Sequence, residues 1–361
     1  MKSNCLLPFY RLKLDADGYF HSCCHQSEYY GNIFEDDTIT IENIMKQPKS
    51  LEVKTSCINS SLHKMCDNER CPVSYNNINA DIDVEFTKYP KEIELAMHPT
   101  WCNIGGLNPT PDTACIMCPR SDPDFIKHAK NLPNRTDELI EFIKPSMPHL
   151  NSLWILGISE PFYKGKIFDI FDKLEFKKYK ETCAFQTVCN GSIFIEKYQE
   201  KFLEYVKIVS MGFSIDAATP ETYYKIRRNR FLPVITKNLT NYFNKVNNHP
   251  YVRDYSAIVA NISTINVHEM EDMVRWANDV GAKRIDFSLT YLVGKNTKIH
   301  KTPEIICNKD NWEIFWESQL RAEQVGKELN IDVQFLVPFH GGFAPKEIIE
   351  SRKGFKYGQH F

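Results

Sequence analysis

Long hydrophobic runs are missing from this 361-residue chain. No stretch of about eighteen apolar residues occurs, so no transmembrane helix and no membrane partner are expected. A secretory signal is missing too. The apolar pieces between Met1 and Asp15 are broken by Arg11 and Lys13, which is a poor signal pattern. The expectation is a cytoplasmic protein. A surplus of one charge is also absent. Lys plus Arg number 44 and Asp plus Glu 46, a formal net charge of −2. Wrapping nucleic acid needs a larger basic surplus, so nucleic acid is not expected as a partner. No internal repeat or low-complexity segment occurs. What the chain does have is 42% apolar and 12% aromatic residues, enough for a sizeable core. Its length suits one large domain or two moderate ones. It also has twelve cysteines. With no secretory signal, metal or redox chemistry explains them better than a disulfide framework.

Nine of the twelve cysteines precede residue 120. The first 75 residues carry turn signals, Asp15-Ala16-Asp17-Gly18 and Tyr30-Gly31-Asn32, and short alternating pieces such as Tyr10 to Leu14. This texture reads as a small loop-rich unit that needs a metal or cluster to hold it. From about residue 91, apolar runs alternate with amphipathic stretches. Six strands are expected, at 92–97, 152–157, 182–188, 208–216, 255–262 and 284–292. Helices are expected at 166–174, 193–206 and 267–280. Another opens at Thr219-Pro220-Glu221, an N-cap followed by Pro. In the helix at 267–280, Met270, Met273, Val274 and Ala277 share one face, and Gly281 ends it. Repeated strand–helix alternation reads as parallel βα units. Six strands suggest an α/β partial (β/α)6 TIM-like barrel, with chemistry at the C-terminal strand ends. The expected segments are a cysteine-rich unit at 1–88, the partial barrel at 89–300, and a helix, short strand and tail at 301–361.

Directly after the first barrel strand comes Cys102-Asn103-Ile104, then Gly105 to Thr113, then Ala114-Cys115-Ile116-Met117-Cys118. Three thiolates on one loop leave a tetrahedral zinc site one ligand short. They can hold a [4Fe-4S] cluster with one iron open to a substrate or cofactor. The insert 105–113 contains Gly105, Gly106, Pro109 and Pro111. It cannot continue a helix or strand and is expected to bulge out as a surface flap.

This loop resembles that of the radical S-adenosylmethionine (radical SAM) superfamily, whose pattern is C-x3-C-x2-C. Without the insert, the segment reads Cys-Asn-Ile-Ala-Cys-Ile-Met-Cys. Further matches follow in order. Leu156-Gly157-Ile158-Ser159-Glu160-Pro161 looks like the family's Gly-Gly-Glu motif, with Ile158-Ser159 where a second Gly is usual. The resemblance makes Glu160 the acceptor for the SAM amino group. Val188-Cys189-Asn190-Gly191 is similar to its Thr-Asn-Gly turn and brings in Asn190. Ser214-Ile215-Asp216-Ala217, then Thr219-Pro220-Glu221-Thr222-Tyr223 and Ile226-Arg227, form the closest match. They imply Ser214 and Asp216 near the SAM ribose or carboxylate and Arg227 clamping the carboxylate. Asn266 and Glu269 resemble the family's fifth-strand Asn; they also read as an ordinary capping box.

The N-terminal unit has its own likeness. Cys5, Gly18 and Cys23 fit the half-motif C-x9–15-G-x4-C of the SPASM/twitch auxiliary-cluster domains, and Cys66-x4-Cys71 supplies a second pair. The ligands this implies are Cys5, Cys23, Cys66 and Cys71, with Cys24, Cys57 or His25 as substitutes. The centre would be a second Fe–S cluster or a structural zinc, which four thiolates do not distinguish. Cys183, Cys189 and Cys307 read as ordinary thiols.

The resemblance implies reductive cleavage of S-adenosylmethionine by the [4Fe-4S] cluster. The resulting 5′-deoxyadenosyl radical takes hydrogen from a peptide, protein or small-molecule substrate. It also implies an electron donor such as flavodoxin or ferredoxin. The alternative is a non-catalytic metal-stabilised binding protein on a decayed barrel, suggested by the weakened Gly157-to-Glu160 motif.

Overall fold

The structure is a computed structural model that describes residues 2–3, 5–23, 26–59, 61, 63–66, 82–105, 109–110, 112–290, 305–336, 339 and 345. Cys24, His25 and Cys71 lie outside the described residues, as do 106–108 and 111 of the insert.

All six expected strands form, as β4 Glu92–Ala96, β5 Ser152–Leu156, β6 Ala184–Cys189, β7 Val209–Ser214, β8 Ser256–Ile262 and β9 Arg284–Leu289. Each pairs in parallel with the next in chain order. The sheet extends further than six strands. On one side β10, Asp332–Phe335, adds in parallel to β9. On the other, β1 Arg11–Leu14 adds in parallel to β4. Beyond β1, the short strands β2 Tyr19–His21 and β3 Gly31–Asn32 run antiparallel. The result is a mixed α/β fold on a ten-stranded sheet whose eight central and distal strands are parallel.

The extra strand β1 has a simple cause. Leu12, Leu14 and, on β2, Phe20 are buried in the same core as Ile93 and Leu95 of β4. An alternating strand that projects apolar side chains must cover them, and the edge of β4 offers both an apolar face and unpaired backbone groups. The turn between β1 and β2 depends on Gly18, at φ +88°, where an added Cβ would lie 2.4 Å from the Phe34 ring. Only glycine fits such a position.

The helices cover the sheet with the faces their periodicity predicts. Helix α1, Pro48–Ile58, belongs to the N-terminal part. Helices α2 Pro123–Asn131 and α3 Thr136–Ile143 lie between β4 and β5. Helix α4, Lys166–Lys173, buries Ile167, Phe168, Ile170 and Phe171. The Phe171 ring packs against Phe176, Phe185, Phe202 and Tyr205. Truncating such a ring costs about 3–5 kcal/mol. After α5, Glu196–Tyr205, helix α6, Pro220–Arg227, starts at Thr219, whose side chain accepts the Thr222 N–H. Helix α7 is Leu232–Val246. Helix α8, Met270–Asp279, buries Met270, Met273, Val274 and Ala277. Gly281 follows at φ +90°. The last described helix, α9, is Trp312–Leu329.

A smaller apolar cluster of Phe9, Val53, Cys57, Met65 and Val84 lies apart from the main core. A two-residue ladder, Lys2–Ser3 with Ile82–Asp83, adjoins no other strand among the described residues. No helix among them is long and apolar enough to cross a membrane.

Candidate functional site

Because β4 to β8 are parallel, their C-terminal ends share one edge of the sheet. The cysteine loop leaves β4 at that edge. Glu160 lies just past β5, Asn190 follows β6, and Ser214 ends β7 with Asp216 two residues beyond. Residues far apart in sequence therefore meet at one rim.

The turn from β5 to Glu160 begins at Gly157, at φ +117°, where an added Cβ would press on Ala96 at 3.4 Å. The Glu160 side chain is buried, at 1% exposure. Its carboxylate accepts the Asn190 N–H at 2.7 Å and the Phe162 N–H at 3.2 Å. Its own N–H donates to the Trp101 carbonyl at 2.6 Å, beside Cys102. Burial pushes the Glu160 carboxyl up to about 7, against the pull of those two N–H donors and of the Arg227 charge. A cationic partner brought beside this carboxyl would favour its charged form.

The cysteine loop is tied to the next strand ends. Asn103 donates to the Ser192 hydroxyl at 2.9 Å and accepts from the Asn190 side chain at 2.9 Å. Asn190 in turn accepts from the Ser192 N–H at 2.9 Å. On the other flank, the Ile116 N–H donates to the Ile226 carbonyl at 3.0 Å. Burial raises all three thiols of the loop. Cys102 rises to about 11 and Cys118 to about 12. Cys115 is also raised, with the Arg227 charge opposing. Each of Cys102 and Cys118 feels the charge of Cys115, and Cys118 that of Cys102, so the three lie within electrostatic reach of one another.

Arg227 is central to the far side. Its Nε lies 2.5 Å from Asp216 Oδ2. Its guanidinium donates to the Ser214 hydroxyl at 2.6 Å and approaches the Cys115 sulfur at 3.9 Å. Asp216, fully buried, also accepts the Asn261 N–H at 2.9 Å. The resemblance implied a carboxylate clamp at Arg227; in the structure this guanidinium has a carboxylate partner within the chain.

Asn266 and Glu269 do not form a capping box. Asn266 accepts the Ser263 N–H at 2.7 Å and donates to the Asp216 and Asn261 carbonyls at 2.7 and 2.9 Å. Glu269 reaches across to β7's exit loop. It accepts from the Ala218 N–H at 2.8 Å, the Thr219 N–H at 3.1 Å and the Thr219 hydroxyl at 2.5 Å. The two residues thus fix the segment from Asp216 to α6.

Two features escaped the motif reading. Arg120, only two residues after Cys118, is buried and donates to the Ile104 carbonyl at 2.9 Å. A cation so close to three cysteines was visible in the sequence. The Asn103–Asn190–Ser192 network was not, because it depends on the β4 and β6 exits meeting.

In the N-terminal part, the Cys5 thiol is raised by its hydrogen bond with Cys57 and by burial. The Tyr30 ring lies near both Cys66 and Cys57. The Cys23 N–H donates to Gln26 Oε1 at 3.1 Å, and Gln26 forms a β-bridge with Cys66. Cys57 therefore stands next to Cys5, where motif reading had put it among the substitutes.

Among the described residues, no three His, Cys, Asp or Glu side chains converge as ligands of a single metal ion. A four-iron cluster is larger than an ion and takes its thiolates from separate directions. Three thiols on one loop, Cys115 buried and Cys102 and Cys118 half-buried, flanked by guanidinium groups and backbone N–H donors, suit that group. Of these donors, the Ile104 N–H faces Cys102 and the Arg120 N–H faces Cys118.

No family model matches the chain, and no curated protein matches it. Several solved structures are similar in fold. One, anSMEcpe with bound AdoMet, shares 15% identity over 68% of this chain and 62% of its own, at a TM-score of 0.48. Streptococcus suis SuiB bound to S-adenosylmethionine shares 13% over 84% of this chain and 65% of its own, at 0.48. A radical SAM methyltransferase from Sphaerobacter thermophilus shares 10% over 69% and 67%, at 0.43. The chain spans less than two thirds of the length of the first two.

Proposed function

We propose that this chain is a radical SAM enzyme built on a partial βα barrel. Cys102, Cys115 and Cys118 would hold a [4Fe-4S] cluster. When bound, that cluster supplies the electron for reductive cleavage of S-adenosylmethionine, the source of a 5′-deoxyadenosyl radical that takes hydrogen from a substrate. One observation carries the reading. Three thiols follow β4 at the same sheet edge where Glu160, Asn190, Ser214, Asp216 and Arg227 gather from the exits of β5, β6 and β7.

Each residue has a task that its surroundings favour. Glu160 accepts hydrogen bonds from the amino group of S-adenosylmethionine, and an ammonium would draw its carboxyl back to the charged form. Asn190 holds the cysteine loop against β6 through Asn103. Ser214 and Asp216 would serve the ribose or carboxylate end of the ligand. Arg227, paired with Asp216, keeps a positive field toward Cys115 and the ligand carboxylate.

The N-terminal cysteines would hold a second centre, an Fe–S cluster, since no three of their described side chains converge on a single metal ion. Its ligands are Cys5, Cys23 and Cys66, with Cys57 or Cys71 as the fourth. The substrate is a peptide, a protein or a small molecule, and the electron comes from a flavodoxin- or ferredoxin-type donor. The test is anaerobic purification, counts of iron and sulfide, and an assay for 5′-deoxyadenosine with dithionite and S-adenosylmethionine. Product formation that depends on iron supports the proposal. Fully iron-loaded protein that cleaves no S-adenosylmethionine contradicts it.

A further inference from the structure

The segment that ends α6 and opens α7 is strongly basic. From Ala217 to Arg253 the sequence has seven Lys and Arg residues and one acid, Glu221, in a chain whose formal net charge is −2. Three of the seven are paired: Arg227 with Asp216, Lys245 with Glu196 and Glu200, and Arg253 with Asp254. Among the described residues, Lys225, Arg228 and Arg230 have no carboxylate partner. Lys225 and Arg230 are exposed, and Arg228 is half-buried. Tyr224 is 46% exposed, and the Arg230 guanidinium lies over its ring, 5.4 Å from the centroid. Arg228 stands in the left-handed region, at φ +57°, the place after a helix end where glycine is usual. Its Nε is buried without a hydrogen-bond partner. Neither backbone preference nor a contact within the chain accounts for an arginine there. The segment also meets the cysteine loop. The Ile226 carbonyl accepts the Ile116 N–H at 3.0 Å, and the Cys115 sulfur lies 3.9 Å from the Arg227 carbonyl. Its backbone thus touches Cys115 while Lys225 and Arg230 meet solvent.

We infer that the surface formed by Tyr224, Lys225, Arg228 and Arg230 docks an acidic one-electron carrier protein of the flavodoxin or ferredoxin type. The inference rests on the function proposed above and gives the electron donor named there a place on the chain. In the step, the reduced carrier loses one electron and the cluster at Cys102, Cys115 and Cys118 gains it; no covalent bond forms or breaks. Unpaired cations attract an acidic partner and speed its encounter. Redox encounters have small interfaces, so a few exposed charges around one aromatic contact suffice. Tyr and Arg are also the side chains that dominate the energy of protein contacts. None of the three cations bonds to Glu160, Asn190, Ser214 or Asp216, so they stand outside the proposed ligand site. An acidic peptide would be drawn by the same charges. A substrate must reach that site, however, whereas a carrier needs only to come close to the cluster, as this segment does through Cys115.

The experiment uses the anaerobically reconstituted full chain with purified flavodoxin and, in parallel, ferredoxin. It compares wild type with the triple variant Lys225→Gln, Arg228→Asn, Arg230→Gln. Asparagine tolerates the left-handed backbone at position 228, so the change removes charge and leaves the turn. Lys207→Gln, just before β7 and so at the opposite edge of the sheet, is the control for net charge. Calorimetric titration reads carrier affinity at low and high salt. Electron paramagnetic resonance reads the rate of cluster reduction, by the carriers and by dithionite. The triple variant is expected to bind the carrier about tenfold more weakly at low salt, with a smaller difference at high salt. Its reduction by the carrier should slow by a similar factor, while reduction by dithionite stays close to wild type. Wild-type affinity and carrier-driven reduction in the triple variant overturn the inference. An equal loss in Lys207→Gln, or an equal slowing with dithionite, does the same. Unchanged carrier binding with lost binding of a polyglutamate peptide would give the surface to an acidic peptide and overturns it too. So does a wild-type cluster that takes electrons from dithionite but from neither carrier. Wild-type protein that holds no iron at the three cysteines would instead refute the proposed function.

Discussion

The Arg227 guanidinium and the Asp216 carboxylate form a buried ion pair, with Nε and Oδ2 2.5 Å apart. This pair links the exit of β7 to the end of α6, and Arg227 also reaches Cys115 and Ser214.

Breaking the pair from one side leaves the other charge buried alone. Arg227→Met is expected to destabilise the metal-free protein by about 3–5 kcal/mol. The double variant Asp216→Asn, Arg227→Met should recover a large part of that loss. Urea unfolding of the three proteins measures the coupling. Strictly additive losses would show that the two side chains do not depend on each other.

Glu160 gives a pH signature. Its carboxyl is held near 7 in the folded chain, above the ordinary 4.5. The folded state therefore keeps a proton that the unfolded state has lost between those values, and stability falls as pH rises through that window. Glu160→Gln cannot lose this proton. From pH 4 to pH 8, the stability of Glu160→Gln relative to wild type should improve by about 3 kcal/mol in the metal-free protein. A difference that does not change with pH would mean that the carboxyl titrates normally.

Much of this was legible in the sequence because it depends on local pattern. The six central strands carry strong apolar runs between turn signals, and Thr219-Pro220 marks a helix start by chemistry alone. The rim positions of Glu160, Asn190, Ser214 and Asp216 followed once the strands were parallel. What the sequence left open depends on tertiary contact. The strand at Arg11–Leu14 has a weak four-residue signal, and its place beside β4 is set by burial of Leu12 and Leu14. The Asn266-x-x-Glu269 spacing suits a capping box equally well. Only the approach of Ala218 and Thr219 shows where the Glu269 carboxylate goes.

That approach is testable. Glu269→Ala removes one acceptor for two backbone N–H groups and a hydroxyl. Bonds to a charged group contribute about 1.5–3 kcal/mol each, so a loss of at least about 2 kcal/mol is expected. Amide hydrogen exchange should speed up at Ala218 and Thr219 more than across β7. Unchanged protection at those two amides would count against the contact.

The N-terminal cysteines can be sorted by metal content. The Cys5 thiol is hydrogen-bonded to Cys57, so Cys57→Ser is expected to lower the metal bound outside the Cys102 loop. Elemental analysis should be run on a background in which Cys102, Cys115 and Cys118 are Ala. Full metal content in Cys57→Ser, with loss in Cys71→Ser, would give the fourth ligand to Cys71.

The central claim is that the loop of Cys102, Cys115 and Cys118 carries the reactive cluster. The direct measurement compares wild type with the triple Ala variant after anaerobic reconstitution, counting iron and 5′-deoxyadenosine formed from S-adenosylmethionine with dithionite. The account predicts a loss of about four irons per chain, as one [4Fe-4S] site requires, together with all 5′-deoxyadenosine. Cleavage that persists in the triple variant would contradict it.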